Sequence, residues 1–395
     1  MEENLKSRIS CSVDAHLEEA IHLSEDLAAH PELPYQEYES SRKMAELLKD
    51  AGFAVTYPYD GYDTAFCACL DNGEGPSVAL LTEYDALPEI GHGCGHNLHG
   101  SLSVLTGLAL KEMKDLFQGK LYVIGTPAEE ENGAKIGMAD HGIFDDMSLA
   151  LMMHSHAGKE SIPNMDVLSL RCYVVEFHGE TAHAVASPWL GKSALAAARK
   201  FLDLIDARRE CFTPDIHVNA VILDGGKAPN IIPDYSKIRM EFRTDSMAKL
   251  LQVDEMVKKC AQAAAMALDC TVSLTFGLSD FADMVRVQPL EEEIAADMKA
   301  FGLKVGKVEH PTGSSDVGNV SYRCPSLQGL LSITKENMAL HTAAFRDATL
   351  KPEAHAAMKA GACSMAALCL KTFTDAAFRD QVQKAWNQAL EEKKQ

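Results

Sequence analysis

Val78-Ala79-Leu80-Leu81-Thr82-Glu83-Tyr84-Asp85-Ala86-Leu87-Pro88 runs into Gly91-His92-Gly93-Cys94-Gly95-His96-Asn97, and a helical segment follows over residues 98–113. A short apolar run, a glycine-punctuated loop and a helix form one step of an α/β layer. The step recurs. Residues 65–70, 121–125 and 149–153 read as further strands, with helical spacing between them. Upstream, Leu17, Ile21, Ser24 and Leu27 mark a helix over 16–27 that Pro31 stops, a second helix covers 41–49, and 53–57 reads as a strand. The expected fold class is α/β, with a mixed, largely parallel central sheet flanked by helices.

Beyond residues 158–163 the pattern changes. Strands are expected over 167–177, 217–223, 237–243 and 271–276, with helices over 192–205 and 249–268. Asp224-Gly225-Gly226 turns the chain between the second and third of these strands. A β-α-β-β-α-β order suits a small α+β sandwich inserted into the larger domain. The α/β pattern resumes near Pro289 with a helix to 301, a strand over 328–333 and a C-terminal helix from Pro352. The domains are therefore expected at 1–168, 169–284 and 285–395, the first and last forming one catalytic body.

The 395 residues carry 57 acidic and 37 basic side chains, a formal net charge of -20, which disfavours nucleic acid and anionic membrane as partners. Small anionic substrates stay open, because an arginine or a metal inverts the field inside a pocket. The 11 cysteines are scattered and odd in number, as expected for buried thiols in a reducing compartment. No apolar run is long enough for a bilayer, and the polar start lacks a signal core, so a cytoplasmic location is expected.

Cys94 and His96 place a thiolate and an imidazole two residues apart, and the glycines at 91, 93 and 95 allow both to converge on one ion. A buried cysteine in a glycine-rich loop with two exposed histidines is the plain alternative. Pro127-Ala128-Glu129-Glu130-Glu131 follows another strand, and burying any of those adjacent carboxylates unpaired is costly unless a cation is present. A solvated acidic loop fits the same residues. His154 and His341 each follow a strand as well. Parallel strands end along one edge, where loops distant in sequence meet. Cys94, His96, Glu130, His154 and His341 can then share two ions, with Asp85 beside them as an orienter of an imidazole or a ligand.

These segments resemble the M20 family of aminoacylase- and carboxypeptidase-type dinuclear metallopeptidases over almost the whole chain. The resemblance is carried by His30-Pro31-Glu32-Leu33, Tyr84-Asp85-Ala86-Leu87-Pro88, Gly91 to Asn97, Pro127-Ala128-Glu129-Glu130 and Gly179-Glu180-Thr181-Ala182-His183-Ala184. Pro188-Trp189-Leu190-Gly191, Asn230-Ile231-Ile232-Pro233-Asp234, Gly313-Ser314-Ser315-Asp316 and His341 extend it. It is similar to the branch of indole-acetyl-amino-acid hydrolases, aminobenzoyl-glutamate hydrolases and dipeptidases for unusual or basic dipeptides. That resemblance implies two divalent ions (zinc, manganese, cobalt or nickel) held by Cys94, His96, Glu130, His154 and His341, the cysteine bridging. It implies Glu129 as general base and His183 as a second catalytic residue. Asn230, Arg243, Gly313 and Ser314 are implied to bind a small substrate with a free carboxylate. The inserted domain is implied to be a lid that also forms a homodimer. Many branch members carry Asp where this chain has Asn97, which puts a supporting charge behind the ligands in question.

The expected reaction is hydrolysis of an amide bond beside a free carboxylate by metal-activated water. Carbamoyl or ester hydrolysis would use the same residues, and a metal-bound scaffold without catalysis is the non-enzymatic alternative.

Overall fold

The computed structural model describes residues 2–307, 311 and 313–393. They form two compact units, one from the chain up to Asp166 and from Met284 to Glu392, the other from Val167 to Asp283. The first unit begins with β1 (Ala54–Thr56), β2 (Phe66–Asp71), β3 (Ser77–Thr82), β4 (Lys120–Gly125) and β5 (Leu149–Ala157). The second holds β6 (Ser169–His178), β7 (Ala182–His183), β8 (His217–Asp224), β9 (Ile231–Ile232), β10 (Tyr235–Thr244) and β11 (Thr271–Phe276). β12 (Ser326–Thr334) returns to the first.

In the first unit the sheet order is β1-β2-β4-β3-β5-β12. β4, β3, β5 and β12 are mutually parallel, while β2 runs antiparallel to β4 and β1 antiparallel to β2. The mixed, largely parallel sheet read from the sequence is thus present. Its central strands are apolar on both faces: Val78, Leu80, Leu121, Val123, Leu149 and Leu151 enter one core with helices Glu3–Ala29, His96–Glu112 and Pro352–Thr374, and Ala79, Leu81, Ile124, Ala150 and Met152 are buried on the other face. Helix His96–Glu112 is buried from His96 to Leu110. A helix apolar on one stripe would show water one face; this one is enclosed.

Two elements differ from expectation. The first helix begins at Glu3 rather than near residue 16, because Ile9 and Val13 continue its buried stripe toward the amino end. The C-terminal helix is broken after Thr374, and a further helix runs Ala376–Lys393. Asp375 adopts an extended backbone and its carboxylate accepts from Phe378 N–H at 3.0 Å, capping the second helix.

The second unit is an antiparallel sheet in the order β11-β6-β10-β8, fourth-first-third-second along the chain. β10 alternates cleanly, with Ile238, Met240 and Phe242 facing helices Ala194–Arg208 and Met247–Ala267 in a separate core. Both helices start on serine caps: Ser193 Oγ accepts from Ala196 N–H at 3.1 Å and Ser246 Oγ from Lys249 N–H at 3.4 Å. β7 and β9 pair as a short ribbon.

Candidate metal centre

The carboxyl ends of β3, β4, β5 and β12 bring the chemistry of the first unit together. Thr82 ends β3, and Glu83 and Asp85 follow it buried. Gly125 ends β4; Ala128 then takes a positive φ of 63°, turning Glu129 and Glu130 back toward the sheet edge. His154 lies inside β5, opposite Leu330 of β12, rather than after the strand as the sequence suggested. His341 follows β12 at φ 58°, its N–H donating to Gly93 C=O at 2.9 Å. Gly95 holds φ 84° at the head of helix His96–Glu112, and a Cβ there would stand 2.7 Å from Ser155 Cβ. Glycine fits both demands, left-handed backbone and close approach.

Six candidates meet here. Cys94 Sγ is 3.4 Å from His154 Nε2. His96 Nε2 is 3.9 Å from Glu130 Oε1 and 4.0 Å from Glu129 Oε2. His341 Nε2 is 3.5 Å from Glu130 Oε1. Neighbouring donors on one tetrahedral ion are about 3.4 Å apart when metal–ligand bonds are about 2.1 Å, so these separations match a shared cation. Cys94, His96 and Glu130 form one such group; Glu83, His96, His99 and His154 form another.

The hydrogen bonds fix which ring nitrogens are available. His96 Nδ1 donates to Asp85 Oδ1 at 2.9 Å and His154 Nδ1 to the Ser155 carbonyl at 2.7 Å, leaving each Nε2 with a lone pair directed at the other donors. Asp85 is therefore the imidazole orienter, and its Oδ2 also accepts from Glu130 N–H at 3.0 Å. His99 does the reverse. Its Nδ1 accepts from Ser155 N–H at 3.1 Å, so Nε2 carries the hydrogen and donates to Glu83 Oε2 at 2.9 Å.

His96 Nε2 and Glu130 Oε1 are buried with no hydrogen-bond partner. Such orphaned acceptors cost roughly 1–3 kcal/mol each or more, and a divalent ion removes the cost. Thiolate, imidazole and carboxylate together suit a borderline-soft divalent metal. The donor set thus fits the two ions implied by the sequence.

Burial pushes the Cys94 thiol well above its ordinary value and the His154 imidazole well below. Burial and the carboxylates of Glu83, Asp316 and Glu130 push Glu129 well above the usual range. Burial opposes ionisation of Asp85, yet His96 and its hydrogen bond hold that carboxyl low.

A third group shares Glu83 with the second. Glu83, Glu129 and Asp316 offer oxygens close enough to share a cation, and Lys135 already stands among them. Its Nζ donates to Glu83 Oε1 at 2.6 Å and to Asp316 Oδ1 at 2.7 Å, with all three side chains inaccessible to solvent.

Asn97 does not mark a charge lost from behind the ligands. Its Nδ2 donates to Ser24 C=O at 3.2 Å, Ser24 Oγ at 3.1 Å and Thr349 Oγ1 at 3.2 Å, tying three elements together. An aspartate cannot donate to that carbonyl, whereas Asp85 supplies the carboxylate at His96.

Five candidates remain, Gly313 and Ser314 in the first unit and His183, Asn230 and Arg243 in the second. Ser314 Oγ is buried without a partner, and a Cβ on Gly313 would meet Met165 Cε at 3.6 Å; no hydrogen bond among the described residues joins either to the donor groups. His183 and Asn230 share the β7–β9 ribbon of the second unit. Ala184 N–H donates to the Asn230 carbonyl at 2.9 Å. His183 Nδ1 accepts from Val185 and Ala186 N–H at 3.2 and 3.1 Å, so its exposed Nε2 is the donor. Arg243, on β10, meets Glu241 Oε1 at 3.3 Å.

The Peptidase family M20/M25/M40 pattern matches residues 79–360, a span holding every one of these donors. The chain belongs to this family. Among its relatives, the Xaa-Arg dipeptidase of Mus musculus is 32% identical over 82% of this chain and 79% of its own length. One polypeptide of the p-aminobenzoyl-glutamate hydrolase of Escherichia coli is 29% identical over 68% of this chain and 60% of its own. In structure, a dinuclear metal-binding M20 peptidase from Bacillus subtilis superimposes with a TM-score of 0.70 at 18% identity, covering 91% of this chain and 99% of that one. This M20 member is a metal-dependent amidohydrolase with a two-ion site, acting on small substrates that carry a free carboxylate. Among the described residues, no helix is long and apolar enough to cross a membrane.

The sequence reading passed over His99 and Lys135. His99 stands three residues after His96, the spacing that shares a helix face, which was a usable signal. Lys135 gave none: it reads as an ordinary lysine in a first helical turn, and its partners come from residues 83 and 316.

Proposed function

We propose that this M20 enzyme is a dipeptidase of the reducing cytoplasm. It would cleave the amide bond of a dipeptide whose carboxyl-terminal residue is basic, with N-acyl amino acids and aminobenzoyl-glutamate as secondary substrates. The observation that carries the catalytic assignment is the pair of orphaned buried acceptors, His96 Nε2 and Glu130 Oε1, beside the Glu129 carboxylate. The substrate class is supported by the likeness to the Xaa-Arg dipeptidase along most of the chain.

On this reading Cys94, His96, Glu130, His154 and His341 hold the ions. When bound, divalent cations of this kind acidify a water and polarise the scissile carbonyl. Glu129 accepts the proton of the attacking water and returns it to the leaving amine nitrogen. His183 presents Nε2–H as a hydrogen-bond donor, the group needed to stabilise a developing oxyanion. Asn230 and Arg243 would hold the free carboxylate, and Gly313 and Ser314 would line the substrate's path.

A homodimer through the inserted unit is supported by β8. It is an edge strand of its sheet, with Val221, Ile222 and Leu223 exposed. Such an edge invites pairing with a second copy.

The test is Glu129→Gln with metal content measured alongside turnover. A fall in kcat of at least about 10³-fold with metal retained is expected; turnover near that of the native enzyme would defeat the assignment. A panel of basic and neutral dipeptides, N-acyl amino acids, aminobenzoyl-glutamate, carbamoyl compounds and esters separates the substrate readings. Loss of every hydrolysis with chelator supports the metal requirement.

A further inference from the structure

Glu83, Glu129 and Asp316 are three carboxylates within reach of one another in a water-poor pocket. They are not equivalent. Glu83 is bonded on both oxygens, Oε1 to Lys135 and Oε2 to His99. Asp316 is bonded on Oδ1 to Lys135, and its Oδ2 is buried without a partner. No hydrogen bond among the described residues ties down the carboxylate of Glu129.

The backbone is arranged to keep this difference. Gly133, at φ 53°, opens the helix Ala134–Asp140 that carries Lys135, and a Cβ there would stand 2.6 Å from Asp316 Oδ2. The chain therefore passes directly against Asp316, and the next turn delivers the ammonium between Asp316 and Glu83. Asp316 itself heads the helix Val317–Ser321, which packs on Ala134–Asp140. The ammonium is fully enclosed. Burial works against its charge, but Asp316 and Glu83 hold it protonated.

We propose that Lys135 is a positioning residue for the hydrolytic step: it ties down Glu83 and Asp316 and so leaves Glu129 as the one mobile carboxylate of the three. Glu83, thus fixed, presents Oε2 at 3.6 Å from His96 Nε2. It adds a fixed negative charge beside the cation-binding ring. Without the ammonium, Glu83 Oε1 and Asp316 Oδ1 would lose their shared partner, with Glu129 the third carboxyl within reach of both. The proton-transferring group would then be drawn into a pairing that competes with water and substrate. Lys135 touches no reacting atom. It acts through Glu83 and Asp316, and the inference rests on Glu129 being the proton-transferring group.

The experiment compares Lys135→Met, Glu129→Gln and the native enzyme in metal content, kcat, KM and melting temperature, with metal and after chelator. Methionine keeps the length and removes the charge. The expected result for Lys135→Met is a kcat lower by at least about 30-fold, with KM within about threefold and full metal content. Its melting temperature should fall more in the chelated protein than in the loaded one, because ions then compensate the carboxylates. A native-like kcat overturns the proposal. So does an equal loss of melting temperature in both forms with kcat lost in proportion to folded protein, since that is a merely structural role. Should Lys135→Met fail to fold, Asp316→Asn decides the matter, because it removes one of the two carboxylates while Lys135 stays. A kcat loss of at least about fivefold at unchanged KM supports the proposal, and an unchanged kcat overturns it. If Glu129→Gln retains turnover, the base assignment has failed. If Glu129→Gln is inactive while Lys135→Met is native-like, only the role of Lys135 has.

Discussion

The two units are both sheets under helices, yet they treat buried charge in opposite ways. In the first, Glu83, Asp85, His96, His99, Lys135, His154 and Asp316 are all enclosed at one sheet edge. In the second, the enclosed charges are Arg171 and Asp254, 2.6 Å apart with the Tyr173 hydroxyl on the same carboxylate, and Asp283, which pairs with Lys393. The topology accounts for the difference. Parallel strands need crossovers, so their carboxyl ends collect on one edge and the following loops converge there. The antiparallel sheet sends successive loops to alternate ends, so the few enclosed charges are spread out and are met by separate ion pairs. Concentrated charge in this protein follows strand direction.

The contrast breaks most visibly at His96. His96→Ala should abolish metal retention and lower kcat at least about 10³-fold, read by elemental analysis and steady-state kinetics; Arg171→Met in the second unit should leave metal content unchanged. Asp85→Asn should weaken metal affinity by about 10–100-fold, because the orienting carboxylate on His96 is replaced by an amide. Competition with a chromogenic chelator measures it.

Asp297 sharpens the comparison inside the first unit. It is a buried carboxylate away from the donor edge, with Oδ2 unpartnered. Burial, with Glu293 adding, pushes it up to about 7, against the pull of Lys371. The unfolded chain gives up this proton near the ordinary carboxylate value and the folded chain only near 7. Asp297 therefore costs stability progressively as pH rises through that window. Asp297→Asn should flatten the decline in melting temperature between about pH 4 and pH 7, the limits set by the unfolded and folded carboxyl. The smallest effect is expected in the second unit: Ser193→Ala removes a helix cap worth about 1 kcal/mol, lowering thermal stability while leaving metal affinity intact.

Much of the scaffold was legible in the sequence, because apolar runs of strand length and the β-α-β-β-α-β alternation are local signals. The donors were legible for a similar reason: Cys94 and His96 sit among glycines, and Glu129 and Glu130 form an adjacent pair after a strand. Their supports were not. Asn97 looked like a lost charge, but its amide serves Ser24 and Thr349, which no spacing announces. His154 reads as the terminus of a strand, but β5 runs four residues past its apolar stretch, where pairing with β12 holds His154 in the sheet. Lys135 became meaningful only when residues 83 and 316 were placed around it.

β12 pairs in parallel with β5 although the entire second unit separates them along the chain, and His341 follows β12. Since a ribosome releases residues in order, the first four candidate ligands emerge well before the fifth, with the second compact unit produced in the interval. Pairings between such remote segments close late and slowly. Complete capture of ions must therefore wait until residue 341 has emerged, and a chain stopped after residue 283 would offer an open, leaky cradle.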